Sequence, residues 1–211
     1  MTRLKARARL FACLLSALAG FVDSIGFIRT GGFFVSFMSG NSTRLGIGIA
    51  SSIDAAKIAA AIVLAFLAGV IGGSLLGDKA ADRRPPVVLF LVAALLACSA
   101  ALRSYVSVSV GLLAVAMGAE NAVFERDGEV RLGVTYMTGS LVRVGNGIAA
   151  ALLGRSGNGW LAYLILWLAF VLGAAMGAAA FGDFGNWSVW GASAAAALLA
   201  LSSIKLSSLD R

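Results

Sequence analysis

The chain of 211 residues is 60% hydrophobic and only 13% charged, with a mean hydropathy of +0.93. A soluble domain carries about a quarter charged residues, so this composition excludes an ordinary soluble enzyme and points to an all-α polytopic membrane protein. The net charge of +7 lies mainly at the ends of apolar segments, where it reads as a topology determinant facing the cytoplasm and anionic lipid, not as a nucleic-acid surface.

At about 20 residues per crossing, this length holds six spans, or eight with very short loops, and leaves nothing for a soluble catalytic domain. The start, MTRLKARARLFACLLSALAGF, imitates a signal peptide but runs straight into Asp23, so it is expected to be a first span and not a cleaved leader. Candidate membrane helices lie at residues 10–28, 55–77, 86–103, 107–124, 160–181 and 187–204. Pro85 and Pro86 mark a helix entry, and Trp160, Trp187 and Trp190 stand at helix starts as interfacial anchors. Cys13 and Cys98 sit in apolar runs without metal-ligand spacing, and histidine is absent. They are expected to be packing residues.

Between the first and second spans the segment FFVSFMSGNSTRLGIGIA, residues 33–50, carries Asn41, Ser42, Thr43 and Arg44 in succession. Between the fourth and fifth it is echoed by VTYMTGSLVRVGNGIA, residues 134–149, at an offset of 99 that carries Met38 onto Met137. Gly40, Arg44, Gly46 and Gly48 fall on Gly139, Arg143, Gly145 and Gly147, while Ser36 and Ser39 meet Thr135 and Thr138. AFLAGVIGG parallels AFVLGAAMG, placing Gly69 on Gly173 and Gly73 on Gly177, and Gly20 and Asp23 meet Gly118 and Asn121. Each half therefore reads helix, polar segment, helix, helix. A single integral membrane domain, 1–211, is expected to contain repeats at 10–103 and 107–206.

Positive charge decides whether the polar segments cross. If all eight elements cross, six basic residues face outside against nine inside. If the polar segments enter and return, twelve lie inside (Arg3, Lys5, Arg7, Arg9, Lys79, Arg83, Arg84, Arg126, Arg131, Arg155, Lys205, Arg211) and only Arg29, Lys57 and Arg103 outside. Six spans plus two re-entrant elements, with both termini cytoplasmic, is the expected topology. Three crossings per repeat make the repeats inverted and bring the two polar segments toward each other near the bilayer centre. Non-helical backbone at that depth needs protein or a water-filled cavity around it, a common transporter design.

Arginine inside a membrane seeks a carboxylate, backbone carbonyls or water. The expected pairs are Asp23–Arg44 and Glu120–Arg143, or the same groups exchanged across the repeats. Such pairs either brace the segments or present an arginine to an aqueous pathway, where it favours anions. Asn41, Ser42, Thr43, Arg44, Thr138, Ser140 and Arg143 are the candidate solute-binding residues. Asp23, Glu120 and Asn121 are the candidate charge-pairing or coupling groups. The hydroxyls also suit helix caps, if half-helices follow Gly40 and Gly139. The mixed-charge stretch from Glu125 to Arg131 reads as a solvated loop, and Gly69, Gly73 and Gly77 as a close helix contact. That contact is either internal, the preferred reading, or a homodimer face. The string GNGIAAALLG lacks the strand a dinucleotide fingerprint requires, and no triad, P-loop, metal or cofactor motif appears, so no enzymatic activity is expected.

The run GFVDSIGFI…GGFFVSFMSGNSTRLG, together with MGAENAV and TYMTGSLVRVG, resembles the YoaK-like family of uncharacterised bacterial inner-membrane proteins (domain of unknown function 1275). The likeness covers nearly the whole chain, most specifically Asp23 with Ser39-Gly40-Asn41 and the segments around Asn121 and Thr138. Ser39 stands where the family usually has threonine, and Glu120 where it usually has glutamine, which favours an additional charge pair here. The resemblance implies the inner-membrane class and no established substrate.

The leading reading is a transporter or channel for a small solute, an anion by the arginines, with a central site formed by the two repeat-related polar segments. The alternative is a non-transporting scaffold or a subunit of a larger complex, with dry, fully paired polar segments. The expected partners are the lipid bilayer and a small solute.

Overall fold

The computed structural model describes residues 6–126, 129–130, 135–155 and 159–209. Asp127, Gly128 and Arg131 of the mixed-charge stretch, Val134 at the start of the second polar segment, and Arg3, Lys5 and Arg211 lie outside the described residues. Eight α-helices occur among those described: α1 (Ala6–Thr30), α2 (Met38–Ser51), α3 (Ile53–Ala80), α4 (Arg84–Ala101), α5 (Val106–Glu120), α6 (Met137–Leu152), α7 (Trp160–Phe184) and α8 (Ser188–Leu209). Glu125–Arg126 pairs antiparallel with Glu129–Val130 in a short ladder between α5 and α6.

Among the described residues, four helical stretches are long and apolar enough to cross a membrane: Arg7–Thr30, Ile53–Ala101, Val106–Phe124 and Trp160–Ile204. The two longest, of 49 and 45 residues, are each interrupted. Ala81 takes a left-handed backbone (φ 48°) between α3 and α4, and Gly185 does so (φ 55°) between α7 and α8. Pro85 and Pro86 then occupy the first turn of α4, where a missing N–H costs nothing. In both cases the chain folds back; α3 packs against α4, whereas α7 and α8 make little contact with each other.

The two polar segments are each a short helix. With 14 residues in α2 and 16 in α6, they extend only about 21–24 Å, less than the roughly 30 Å apolar thickness of a bilayer. Both begin two residues before these glycines, so Gly40 and Gly139 lie in the first turn and do not precede it as expected.

Helix packing repeats between the halves. α1 lies along α7 as α5 lies along α3, α2 rests on α3 as α6 rests on α7, and α4 pairs with α8. α2 and α6 have no packing of comparable extent with each other. The core is built around α1, α4 and α5, with Leu15, Ile25, Leu89, Leu96, Leu113 and Met117 fully buried. Outward faces are apolar instead of polar: Leu64, Leu67, Ile71, Leu161, Leu172 and Leu198 are all exposed. A soluble monomer rarely exposes so continuous an apolar surface.

Polar contacts tie the helix ends together. At one face Arg29, near the end of α1, donates to Ser109 Oγ in the first turn of α5 (2.7 Å) and to the Arg103 carbonyl just after α4 (3.2 Å). At another cluster Arg84, starting α4, donates to the Ala122 carbonyl and bridges Glu125 after α5 (both 3.2 Å), and it also pairs with Asp78 near the end of α3. Ser74 donates to Glu125 as well. Glu125 is therefore a paired, largely buried side chain, not the solvated loop residue expected from sequence.

Candidate functional site

The first polar segment is assembled by a chain reversal at the end of α1. Thr30 Oγ1 accepts the Phe33 N–H and donates to the Gly26 carbonyl, both at 2.8 Å. Gly31 (φ 67°) and Gly32 (φ 127°) take backbone conformations that side chains resist. The chain then returns along α1, leaving the Val35 and Ser36 N–H groups without sheet or helix partners. Asp23 Oδ1 accepts both, at 2.8 and 2.7 Å. Asn41, fully buried in α2, clamps Phe34 from the other side: its Oδ1 accepts the Phe34 N–H (3.0 Å) and its Nδ2 donates to the Phe34 carbonyl (2.6 Å). Two polar side chains thus replace water for a backbone stretch that has no regular partner.

The outer face of α2 is different. Ser42 and Thr43 donate back to the Met38 and Ser39 carbonyls at 2.8 and 3.2 Å. Arg44 stacks on the Phe33 ring, 5.1 Å from guanidinium carbon to centroid. Gly32 makes room for it, since a Cβ there would lie 3.0 Å from Arg44 Nη2. Arg44 stands on the wall of a cavity of about 570 Å³ lined also by Phe33, Phe34, Phe37, Ser39, Thr43 and Ser51. That size is within the roughly 300–1,000 Å³ common for small-molecule sites.

In the second half, Asn121 takes the place of Asp23. Its Oδ1 accepts from Thr135 Oγ1 (3.0 Å), the counterpart of Ser36, while its Nδ2 donates to the Met117 carbonyl (2.9 Å). Ser140, the counterpart of Asn41, is buried and donates to the Tyr136 carbonyl just before α6 at 3.3 Å. Thr138 is exposed on the first turn of α6. Arg143 donates to Tyr163 Oη on α7 (2.7 Å), with its guanidinium carbon 4.8 Å from that ring's centroid.

Neither expected ion pair forms. Asp23 already serves two backbone amides, whose unpaired burial would cost about 1–3 kcal/mol each. Arg44 lies at the edge of the α2 face marked by buried Asn41 and Gly48, and it turns toward the cavity. Glu120 is fully buried, and neither carboxyl oxygen has a hydrogen-bond partner among the described residues. Arg143 is exposed and turns instead to Tyr163 on α7. Exchange across the repeats does not occur either. The substrate-binding candidates divide accordingly, with Asn41, Ser42, Thr43 and Arg44 on α2 and Thr138, Ser140 and Arg143 on α6, in helices packed on different neighbours. Sequence reading missed the aromatic partners Phe33 and Tyr163. The adjacent phenylalanines of the FFVSF run were the available signal for the first, and nothing marked Tyr163.

Residues 11–202 match the family described as "Protein of unknown function (DUF1275)". The chain belongs to this family. The "UPF0700 transmembrane protein RA0705" of Rhizobium meliloti (strain 1021) is 36% identical over 165 residues, covering 78% of this chain and 72% of that protein. The "UPF0700 transmembrane protein YoaK" of Bacillus subtilis (strain 168) is 30% identical over 138 residues, covering 61% of each. No solved structure matches. The DUF1275 chain, with its outward apolar helices and its transmembrane relatives, is a multi-pass membrane protein.

Proposed function

We propose that this DUF1275 protein is a transporter or channel for a small anionic solute in the bacterial inner membrane, with six crossings in two inverted repeats. The observation that carries the reading is Arg44, a membrane-embedded cation without a carboxylate partner among the described residues, held by Phe33 on the wall of a cavity. An unneutralised arginine in that setting is costly unless water or an anion meets it. Arg143 supplies the repeat-related charge in α6.

The topology draws support from the helix ends. Arg29 links the end of α1, the end of α4 and the start of α5, whereas Arg84 links the end of α3, the start of α4 and the turn after α5. With these clusters at opposite faces, α1 and its counterpart α5 run in opposite directions, as inversion requires, and α2 returns to the face it entered. Helical runs of 49 and 45 residues would reach about 70 Å if straight, so each supplies two crossings. The inside-positive bias puts both termini in the cytoplasm.

A scaffold or complex subunit is the second reading, favoured by a separate observation. Asp23, Asn41 and Asn121 direct their bonds inward, and α2 and α6 expose apolar residues such as Ile47, Ile49, Leu141 and Ile148. Labelling separates the two. With Cys13 and Cys98 replaced, cysteines at Ser39 and Thr138 react with small hydrophilic thiol reagents if a wet pathway exists. Unreactive cysteines at both positions, beside reactive loop controls, would favour the scaffold.

A further inference from the structure

The walls of the α2 cavity are poorly suited to an inorganic anion. Three phenyl rings, Phe33, Phe34 and Phe37, and the side chain of Ile47 line it, and no carboxylate does among the described residues. The rings are held in place. Phe34 lies 4.8 Å from Phe27 and 5.2 Å from Phe37 between centroids, the latter edge to face. Gly40 lets Phe37 sit directly on the α2 backbone, since a Cβ there would lie 2.5 Å from the ring.

The polar groups are as selective as the rings. Thr43 and Ser51 donate their hydroxyl protons to the Ser39 and Ile47 carbonyls, at 3.2 and 2.8 Å, and cannot donate to a ligand at the same time. The guanidinium of Arg44, a planar fork of N–H donors, is then the main donor beside the Ser39 hydroxyl, and the single charge on the described wall. A small hydrated anion would lose water on most of its surface and gain few donors in exchange, which is unfavourable. A carboxylate carried on an apolar body meets both halves of the cavity.

The fold alone does not demand this wall. At the offset of 99 the positions of Phe33 and Phe34 correspond to Leu132 and Gly133, and Phe37 to Tyr136, while Arg143 matches Arg44. The charge is common to both repeats; the phenyl cluster belongs to one.

We infer that the ligand of the α2 cavity is an organic monocarboxylate with an aromatic or bulky apolar body. The carboxylate pairs with Arg44 and the body rests on Phe33, Phe34, Phe37 and Ile47. The inference rests on reading this cavity as the solute site and adds the class of solute.

The test is calorimetric titration of the full chain in detergent or nanodiscs with phenylacetate, its neutral isostere phenylacetamide, acetate, chloride and phosphate. Phenylacetate is expected to bind at least about tenfold more tightly than each of the others, as loss of a charge-assisted pair or of the ring contact requires. Arg44→Gln removes that advantage over phenylacetamide, Phe37→Ala reduces phenylacetate binding, and Arg103→Gln, at an arginine stacked 4.4 Å from the Trp187 ring centroid and outside the cavity, changes neither. Thermal unfolding of each variant establishes that it is folded, and Arg44→Lys, retaining charge without the fork, gives an intermediate affinity. Phenylacetate binding that is absent, or indifferent to Arg44, overturns the inference. Arg44-dependent binding of chloride or phosphate as tight as that of phenylacetate overturns the solute class and leaves the anion site standing. Arg44-dependent phenylacetate binding without phenylacetate flux into proteoliposomes upholds the solute class and overturns transport.

Discussion

Gly20 and Gly173 meet at one crossing of α1 and α7 so closely that neither position has room for a Cβ. Built at Gly20, it would lie 2.1 Å from the Phe170 carbonyl oxygen; built at Gly173, it would lie 2.0 Å from that of Ala17. The other half repeats the arrangement at the α3–α5 crossing. There a Cβ at Gly118 would lie 2.1 Å from the Phe66 oxygen, and one at Gly69 would lie 2.0 Å from that of Val115. Small residues at such crossings let backbones touch, which is how helices gain contact energy in lipid.

Replacing these glycines pushes two backbones apart, because the obstacle is a carbonyl and not a flexible side chain. Gly173→Val and Gly69→Val are each expected to destabilise the protein by about 1–3 kcal/mol or more, the usual cost of overpacking. Gly182→Ala, where nothing lies within 4 Å, should be neutral. Thermal unfolding in detergent reads the difference, and similar losses at Gly173 and Gly69 are the signature of equivalent crossings.

The Asp23 acceptor makes a second prediction. Asp23→Ala leaves the Val35 and Ser36 amides unserved and should cost about 1–3 kcal/mol for each. Asp23→Asn retains an oxygen at that place and should cost less. If the two variants unfold at the same temperature, the carboxylate's role is not to accept these bonds.

Asn41 holds the returning segment through both backbone groups of Phe34. Asn41→Asp keeps the acceptor but loses the donor and should destabilise; Asn41→Ala loses both and should destabilise more. Asn41→Ser should destabilise as well, although Ser140 occupies the equivalent position, because Ser140 bonds the nearby Tyr136 carbonyl and not a returning segment. Protease sensitivity after Thr30 checks whether the loss is local.

Arg84 lies in a largely buried cluster, with 12% of its side chain exposed and 11% of that of Glu125. Arg84→Ala should cost about 3 kcal/mol, the lower end for a buried pair deprived of one partner. Glu125→Gln should cost less, since the amide oxygen still accepts from Ser74. A cysteine pair placed between the start of α4 and the turn after α5 should cross-link in the wild-type background, which tests the contact directly.

The helices were legible because apolar runs bounded by charge, proline and tryptophan leave few alternatives. The matched glycine spacings were legible, and Gly69, Gly73, Gly173 and Gly177 all lie at close helix contacts. The charge pairs were not. Sequence shows Asp23 and Arg44 within reach of each other, but not that reversal at Gly31 and Gly32 strands two amides beside Asp23. Nor does it show that Arg143 has an aromatic neighbour twenty residues on, in Tyr163. Partners for polar groups follow from where backbone is left unpaired, and that emerges only once the chain has turned.

Anion flux through reconstituted protein tests the central claim most directly. Proteoliposomes would be loaded with inorganic anions, organic acids, cations and neutral solutes, with wild type beside Arg44→Ala, Arg143→Ala and Arg103→Ala. The account predicts flux confined to anions, reduced at least about tenfold in Arg44→Ala, weakened in Arg143→Ala and unchanged in Arg103→Ala. Folded protein that passes none of these solutes, or passes them equally well without Arg44, would contradict it.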